Sequence, residues 1–235
     1  MLLLALDTST EALSIALWHD GAILSKHCHA GQRHAELTLP MLDALFAEAG
    51  IARTQLEAIA YPLGPGSFTG LRIGCGLAQG IGQALDIPLV GISSLATLAA
   101  GSDAAVGQVV LAALDARMNQ VYAGLYQHTD QGWQTLTPDG LFNPEDVPLP
   151  TTAALALGNA FAAYPALTDR LPPTLHVLDP HRLPHAAHLA ALGAAACAAG
   201  LAIPAEQAGL VYLRDQVALT SLERAAKAQA STPSL

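Results

Sequence analysis

A glycine-rich stretch from residue 58 to residue 82, AIAYPLGPGSFTGLRIGCGLAQGIG, limits what this chain can fold into. An apolar run is followed by Gly, Pro and Gly at residues 64–66, which predicts a short buried strand, a turn and then a helix. The hydroxyl of Ser67 or Thr69 can cap that helix by accepting from the free N–H groups of its first turn.

The predicted helix contains five glycines, each of which costs about 1 kcal/mol relative to alanine in a helix interior. A helix tolerates this cost where another backbone comes very close. Small residues occupy two faces: Gly70, Gly74 and Ala78 on one, and Gly76, Gly80 and Ala84 on the other. Because charged and amide side chains interrupt the apolar run, the pattern favours a helix packed on both sides rather than a membrane span.

A phosphate-binding loop is the competing interpretation, since free N–H groups at a helix start attract anions. The known motifs do not fit. No Lys-Ser/Thr pair follows a glycine, and Thr69 stands where a dinucleotide-binding fold needs Gly or Ala. Structural packing is the favoured interpretation, and Ser67 and Thr69 remain candidates for cofactor contacts.

The overall composition excludes some classes of function. The chain has 235 residues, a formal net charge of −9 and only ten Lys and Arg, which form no cluster, so direct binding to nucleic acid is not expected. The three cysteines are far apart and lack metal-site spacing, as is typical of a reduced cytoplasmic protein. The apolar start lacks a basic segment and meets Asp7 at once, which predicts a strand rather than a signal peptide.

A helix predicted over residues 34–49 has two apolar stripes, although a surface helix needs only one to cover its own sheet. The first stripe is Ala35, Leu39, Leu42, Phe46 and Ala49, and the second is Leu37, Met41 and Leu45. The second stripe predicts burial against the glycine-rich helix or against another chain. Pro40 should bend this helix.

The beginning of the chain is repeated near its middle. Residues 2–18 read LLLALDTSTEALSIALW and residues 110–126 read VLAALDARMNQVYAGLY, and they align without a gap on Asp7 and Asp115. This repeat of a strand–turn–strand unit predicts two half-domains, residues 1–102 and 103–235, with the last segment able to pack back on the first half. A helix over 184–199, a short strand over 210–213 and a disordered tail from Ser231 complete the prediction.

Several polar residues could carry chemistry. Asp7 could hold metal and phosphate, or it could only close the turn after the first strand, and the sequence does not separate these. Asp115 and Arg117 fit an ion pair that fixes a turn better than an active-site pair. Two histidine sets have metal-like spacing, His27 with His29 and His181 with His185 and His188, but no acidic residues accompany them, and no metal site is predicted.

Four segments together resemble the TsaB (YeaZ) family across nearly the whole chain. They are LALDTST at 4–10, GPGSFTGLRIG at 64–74, LDAR at 114–117 with VY at 121–122, and VYLR at 211–214. The resemblance implies an α/β, two-lobed actin/Hsp70-like ATPase (ribonuclease H-like) fold with duplicated half-domains. In fold members that are ATPases, an Asp at the place of Asp7 holds metal and phosphate.

The resemblance also implies a function. Family members are non-catalytic dimerisation subunits of the bacterial complex that makes threonylcarbamoyladenosine in tRNA. The implied partners are a TsaD-like catalytic subunit, which forms a heterodimer with this chain, and a TsaE-like ATPase, with tRNA contacted only through the complex. Whether the isolated chain is a monomer or a homodimer stays open.

One departure from the catalytic relatives decides between scaffold and enzyme. TsaD-like proteins follow the strand equivalent to residues 87–92 with two metal-binding histidines, and Ser94 and Leu98 stand in those places. The glycine pair that holds adenosine in the superfamily is reduced to Gly158-Asn159. The expectation is no catalytic residue and no cofactor required by this chain, with ATP/ADP and metal on the partner subunits.

The family pairs with TsaD through its first two helices, so the contact is expected there. The predicted partner-binding residues are His34, Leu37, Met41, Leu45, Leu71, Gly74 and Leu77. The alternative is an active actin-fold ATPase or kinase-like enzyme that uses Asp7 and the loop from Gly64 to Gly70. A metallopeptidase is a third hypothesis, which the residues at 94 and 98 disfavour.

Overall fold

A computed structural model describes residues 1–214. In this part of the chain, ten strands form two five-stranded sheets, and six α-helices pack against them. The strands are β1 (Leu2–Asp7), β2 (Ala12–His19), β3 (Ala22–His29), β4 (Ala58–Gly64), β5 (Leu89–Ser93), β6 (Val109–Asp115), β7 (Val121–Thr129), β8 (Gly132–Phe142), β9 (Ala154–Leu157) and β10 (Leu175–Asp179). The helices are α1 (His34–Ala49), α2 (Phe68–Leu85), α3 (Ser94–Ala100), α4 (Ala160–Ala163), α5 (Pro165–Thr168) and α6 (Ala186–Ala198).

The two sheets have the same topology. The first lobe is built on the sheet β3-β2-β1-β4-β5, and the second lobe on β10-β9-β6-β7-β8. In each sheet the first three strands of the lobe pair antiparallel, and the last two join the sheet in parallel. Asp7 and Asp115 end the equivalent strands β1 and β6. The predicted two-lobed α/β fold with duplicated halves is confirmed.

Side-chain alternation along β1 explains why both faces of the first sheet are covered. Leu2, Leu4 and Leu6 point to one face, where α1 and α2 pack, whereas Leu3 and Ala5 point to the other, where α6 packs. Every residue of this strand is buried. A strand covered on both faces reads as a continuous apolar run, as this one does.

Two helices are exchanged between the lobes. Helix α3 follows β5 of the first sheet but packs on the second sheet, where Leu95 and Leu98 contact Val110 and Ala112. Helix α6 follows β10 of the second sheet but packs on the first. The proposed boundary at residues 102 and 103 falls between α3 and β6 along the chain, whereas the two lobes in space share these helices.

Helix α1 continues without a break through Pro40, whose side chain is exposed, and the bend predicted there stays a prediction. Another local prediction needs correction. Residues 210–213 form no strand: the N–H of Val211 donates to the carbonyl of Leu63 in β4, but no regular ladder is formed there. The predicted disordered tail from Ser231 lies outside the described residues. No helix within residues 1–214 has the length and hydropathy needed to cross a membrane.

His185 makes the packing of α6 sensitive to pH. Its Nδ1 accepts the N–H of Ala187 at 3.1 Å and so caps the helix, which requires the neutral ring. Burial, together with the neighbouring His27, His188 and Arg182, lowers the pKa of His185 to about 4. The unfolded chain therefore binds this proton more readily, and the contribution of His185 to stability is lost as the pH falls from about 6.5 towards 4.

We expect His185→Asn to reduce the loss of stability that the protein suffers between pH 7 and pH 5. Asparagine keeps an acceptor for the helix cap but cannot be protonated in this range. Urea unfolding at the two pH values measures the loss, and His176→Asn, at an exposed histidine, is the matched control. An equal loss in wild type and His185→Asn would contradict the assignment.

Candidate partner surface and inter-lobe cleft

One face of α2 lies directly on the turn that follows β1. A Cβ atom added at Gly70 would be 2.0 Å from the carbonyl oxygen of Thr8, and one at Gly74 would be 2.4 Å from Thr8 Oγ1. The Thr8 hydroxyl also donates a hydrogen bond to the carbonyl of Gly70, at 2.7 Å. Glycine is required at these positions because the two backbones touch, as predicted for the first small-residue face.

The same contact fills the loop before α2. Ser67 is the N-cap: its Oγ accepts from the N–H of Gly70 at 3.3 Å, and its own N–H donates to the carbonyl of Ser9 at 2.7 Å. A Cβ at Gly66 would be 2.3 Å from that same carbonyl oxygen. Thr69 is exposed and does not cap the helix. The N–H groups of Ser67 and Gly70 thus have partners within the chain, which favours packing over phosphate binding, although residues 65–68 line the cavity described below.

Asp7 closes the turn from inside the protein. It is 1 % exposed, and its Oδ1 accepts from the N–H and Oγ of Ser9, at 2.9 and 2.7 Å. Its Oδ2 has no hydrogen-bond partner, and burial raises the pKa of this carboxyl group. Asp7 is not among the residues that line the inter-lobe cavity. These contacts fit the turn-closing interpretation.

Asp115 has different partners at the equivalent place in the second lobe. Its Oδ1 accepts from the N–H of Arg117 at 2.7 Å and from the hydroxyl of Tyr164 at 2.6 Å, and its Oδ2 lies 3.0 Å from Arg117 Nη1. The N–H of Asp115 donates to Asn159 Oδ1 at 2.8 Å. The predicted ion pair that fixes the turn is confirmed.

A cavity of about 400 Å³ lies between the lobes. Residues Ser9, Thr10, Glu11, Ser67 and Phe68 line it from the first lobe, Asp115, Arg117, Tyr122 and Asn159 from the second, and Val211 to Arg214 from the segment after α6. Next to it, a Cβ at Gly158 would be 1.9 Å from the carbonyl oxygen of Ala113. The loop at 158–159 thus packs on β6, and Asn159 of this loop lines the cavity.

The residues at the metal-ligand places of the catalytic relatives are internal. Ser94 and Leu98 are 0 % and 1 % exposed, and neither lines the cavity. The structure brings together histidines from the two sets that the sequence suggested. The ring of His27, from the first set, lies 5.1 Å from the ring of His185, from the second, measured between centroids. In the described part of the chain, no group of three or more His, Cys, Asp or Glu side chains could hold a metal ion.

The structure corrects the choice of partner-binding residues. His34, Leu45, Leu71 and Gly74 are buried inside the first lobe, with exposures of 4 % for His34, 0 % for Leu45 and 1 % for Leu71, so they are not available to a partner on this surface. Leu37, Met41 and Leu77 are half-buried and remain candidates. The predicted stripes of α1 are rotated, because its buried residues are His34, Thr38, Leu42, Leu45 and Phe46.

An outward surface of α1 and α2 is left for a partner. We define the outer helix face as Leu39 of α1 with Ile73, Gly76, Leu77 and Gly80 of α2. Leu37 and Met41 lie on the opposite flank of α1, because residues two apart in a helix do not share a face. Leu39 is 56 % exposed, and a Cβ added at Gly76 or Gly80 would meet nothing within 4 Å. The second small-residue face of α2 was visible in the sequence. The predicted contact residues do not include Leu39 or Ile73, although helical spacing points to Ile73, which precedes Gly76 by three residues and Gly80 by seven.

A cation–aromatic cluster adjoins this face at the start of α2. The Cζ atom of Arg72 lies 3.8 Å from the centroid of the Phe68 ring, and its Nε donates to the hydroxyl of Tyr212 at 3.0 Å. Phe68 and Tyr212 remain 43 % and 41 % exposed. The cluster ties the segment after α6 to the first lobe.

We expect opposite effects of alanine at the two glycine faces of α2. Gly80→Ala should stabilise the isolated protein by about 1 kcal/mol, because the added methyl group has open space and alanine favours the helix. Gly70→Ala should destabilise it by about 1–3 kcal/mol, because the methyl group meets backbone that cannot easily move. Urea unfolding measures both, and equal stability of the two variants would contradict the packing described here.

The comparisons with known proteins agree with the architecture. The family model for TsaD, tRNA N6-adenosine threonylcarbamoyltransferase, matches residues 28–218. The tRNA threonylcarbamoyladenosine biosynthesis protein TsaB of Escherichia coli K12 is 36 % identical over 231 residues, which cover 94 % of this chain and 98 % of that protein. The protein of the same name in Haemophilus influenzae is 36 % identical over 75 % of this chain and 83 % of its own length.

Solved structures lead to the same family. YeaZ from Pseudomonas aeruginosa superposes with a TM-score of 0.82 at 41 % identity, over 90 % of this chain and 99 % of that one. A second P. aeruginosa structure, described as similar to peptidase YeaZ, gives a TM-score of 0.83 at 40 % identity, over 91 % of this chain and 99 % of that one. This chain belongs to the TsaB (YeaZ) family, within the wider family that the TsaD model describes.

Proposed function

We propose that this chain is a non-catalytic scaffold subunit in the cytoplasmic synthesis of threonylcarbamoyladenosine in tRNA. In this proposal it binds and positions a TsaD-like catalytic subunit as a heterodimer, and a TsaE-like ATPase completes the assembly. The names of the relatives support the pathway. The observation that carries the scaffold role is the pair of open glycines on α2.

Within residues 1–214, no contact explains Gly76 and Gly80. Each costs the helix about 1 kcal/mol, as the other glycines of α2 do. Gly70, Gly74 and Gly82 are accounted for by contacts with Thr8 and Leu89, whereas a Cβ at Gly76 or Gly80 would meet nothing. Their four-residue spacing leaves a shallow groove along the helix, into which the side chains of a second helix can pack at short interaxial distance.

Apolar side chains flank these glycines, with Arg72 and Gln83 one turn away on either side. Leu39 is 56 % exposed, and Ile73 and Leu77 flank the glycines and are half-buried. A face with little side-chain bulk and exposed apolar groups fits a partner helix better than water. This supports the outer helix face as the contact with the catalytic subunit.

Contacts at the positions where the alternative enzyme would need free groups support a non-catalytic role. Asp7 accepts hydrogen bonds from Ser9 and so closes its own turn, and the loop before α2 packs on Ser9. Ser94 and Leu98 offer no imidazole where the catalytic relatives bind metal. We therefore assign ATP/ADP and metal to the partner subunits. We assign tRNA binding to them as well, since a chain with net charge −9 is unfavourable for phosphate contacts.

We expect Leu39→Asp and Gly80→Leu to weaken binding to the TsaD-like protein of the same organism at least tenfold. The first places a charge in an apolar contact, and the second fills the groove of closest approach. Isothermal titration calorimetry measures the affinity, and Leu136→Asp, at a leucine of β8 that is 45 % exposed, is the control on the other lobe.

The possible outcomes test the scaffold role and the outer helix face separately. If wild type and Leu136→Asp bind and both outer-face variants bind equally well, the outer helix face is the wrong surface. If the wild-type protein does not bind at all, the scaffold role is wrong. Sedimentation of the isolated chain and of Leu39→Asp tests whether the same face supports a homodimer when the partner is absent.

We expect no difference in ATP turnover between the wild-type chain and Asp7→Asn. The alternative of an ATPase or kinase-like enzyme needs the Asp7 carboxylate and the loop from Gly64 to Gly70 at the nucleotide, whereas both pack within the chain. Phosphate release by the purified chain is the measurement. Turnover in wild type that Asp7→Asn abolishes would support the enzyme alternative instead.

A further inference from the structure

Two hydrogen-bonded contacts connect the lobes in addition to the exchanged helices. The first joins the end of β5 to the second sheet. Ser93 Oγ donates to Asp139 Oδ2 at 2.5 Å, and the hydroxyl of Tyr126 donates to Asp139 Oδ1. Each carboxylate oxygen of Asp139 thus accepts a hydroxyl group. Burial raises the pKa of this carboxyl group, and the two hydrogen bonds act against that shift. We call this the Ser93–Asp139 contact.

The Ser93–Asp139 contact is built into the surrounding backbone. The Oγ of Ser93 also accepts from the N–H groups of Leu95 and Ala96, both at 3.1 Å. Ser93 therefore both caps α3 and binds Asp139 of β8. A Cβ at Gly124 would be 2.7 Å from Asp139 Oδ1, so β7 makes room for the carboxylate. Tyr126 is 2 % exposed, which shields the contact from water.

The second contact begins with the segment from Gly209 to Arg214, which is anchored to the first lobe. The hydroxyl of Tyr61 donates to the carbonyl of Gly209 at 3.0 Å and accepts its N–H at 3.2 Å. The N–H of Val211 donates to the carbonyl of Leu63 at 2.9 Å. This segment therefore extends the first lobe along the edge of the cleft.

Arg214 then reaches across to the second lobe. Its Nη2 donates to the carbonyl of Ala116 at 3.0 Å and to Gln120 Oε1 at 2.7 Å. We call this the Arg214 contact. Between these acceptors, residues 117, 118 and 119 have φ values of 61°, 54° and 58°, although none of them is glycine. Such left-handed residues cost roughly 1–2 kcal/mol each, and persist only where their surroundings fix them.

We infer that these two contacts hold the lobes at one fixed separation, so that the cleft neither opens nor closes as a ligand-binding hinge would. Domain closure needs a few residues that absorb the rotation while little else crosses between the domains. Arg214 lines the cavity, whereas Ser93 and Asp139 do not. A rotation centred on either contact strains the other, and the exchanged helices α3 and α6 resist it as well. The inference does not depend on the proposed function.

Double electron–electron resonance spectroscopy on the full chain, which measures the distance between two spin labels, tests this inference. Spin labels on non-canonical side chains at the exposed positions Ala52 and Gln131 report the separation of the lobes and leave the native cysteines in place. The wild-type protein should give one narrow distance distribution that does not shift when MgATP is added. A broad or two-peaked wild-type distribution, or a shift with MgATP, would overturn the inference.

Variants of the two contacts test whether these contacts cause the fixed distance between the lobes. Arg214→Ala and Asp139→Ala should each broaden the distribution, and the double variant should broaden it further. Arg33→Ala is the matched control, because it removes an ion pair with Glu36 that lies within the first lobe. If the double variant does not fold, the two single variants still decide. Single variants that keep the narrow wild-type distribution would show that these contacts do not fix the lobes.

Discussion

The backbone contact between α2 and the turn after β1 is the interaction on which the rest of the first lobe depends. Because Gly70 and Gly74 bring the helix within touching distance of Thr8, the N–H of Ser67 in the loop before α2 donates to the carbonyl of Ser9. The same contact fixes the rotation of α2 about its axis, and this rotation turns Gly76 and Gly80 outward. The same contact thus occupies an N–H of the loop and exposes the two glycines on which the proposed partner surface rests.

Much of this could be predicted from the sequence, because it depends on local patterns. The alignment of Asp7 with Asp115 gave the duplicated topology, and the spacing of small residues gave both faces of α2. The rotation of α1 was missed because its apolar residues encircle much of the helix, so periodicity alone does not identify the buried side. The segment at 210–213 was mistaken for a strand, since Val-Tyr-Leu favours extended structure, whereas the segment joins β4 through the N–H of Val211 without forming a ladder.

Other features depend on residues far apart in the chain, which no local pattern brings together. The approach of His27 to His185 and the reach of Arg214 to the turn after β6 follow from the exchange of helices and the return of the chain to the first lobe. The two halves have also diverged at equivalent places. Asp115 has a cation and a tyrosine as partners, whereas Asp7 is enclosed with one oxygen unpaired. Repetition therefore predicts the backbone of each half, and the chemistry of each turn must be worked out separately.

The exchange of α3 and α6 determines when the protein can fold during synthesis. The N–H of Ala186, at the start of α6, donates to Ser14 Oγ at 2.7 Å across 172 residues of sequence. Until α6 has left the ribosome, one apolar face of the first sheet, including Leu3 and Ala5, has no cover. The amino-terminal half therefore stays incompletely packed until most of the chain has been translated. Contacts between residues so far apart in sequence also slow folding. Dividing the gene at the apparent midpoint would give two fragments, each lacking a helix that covers its sheet.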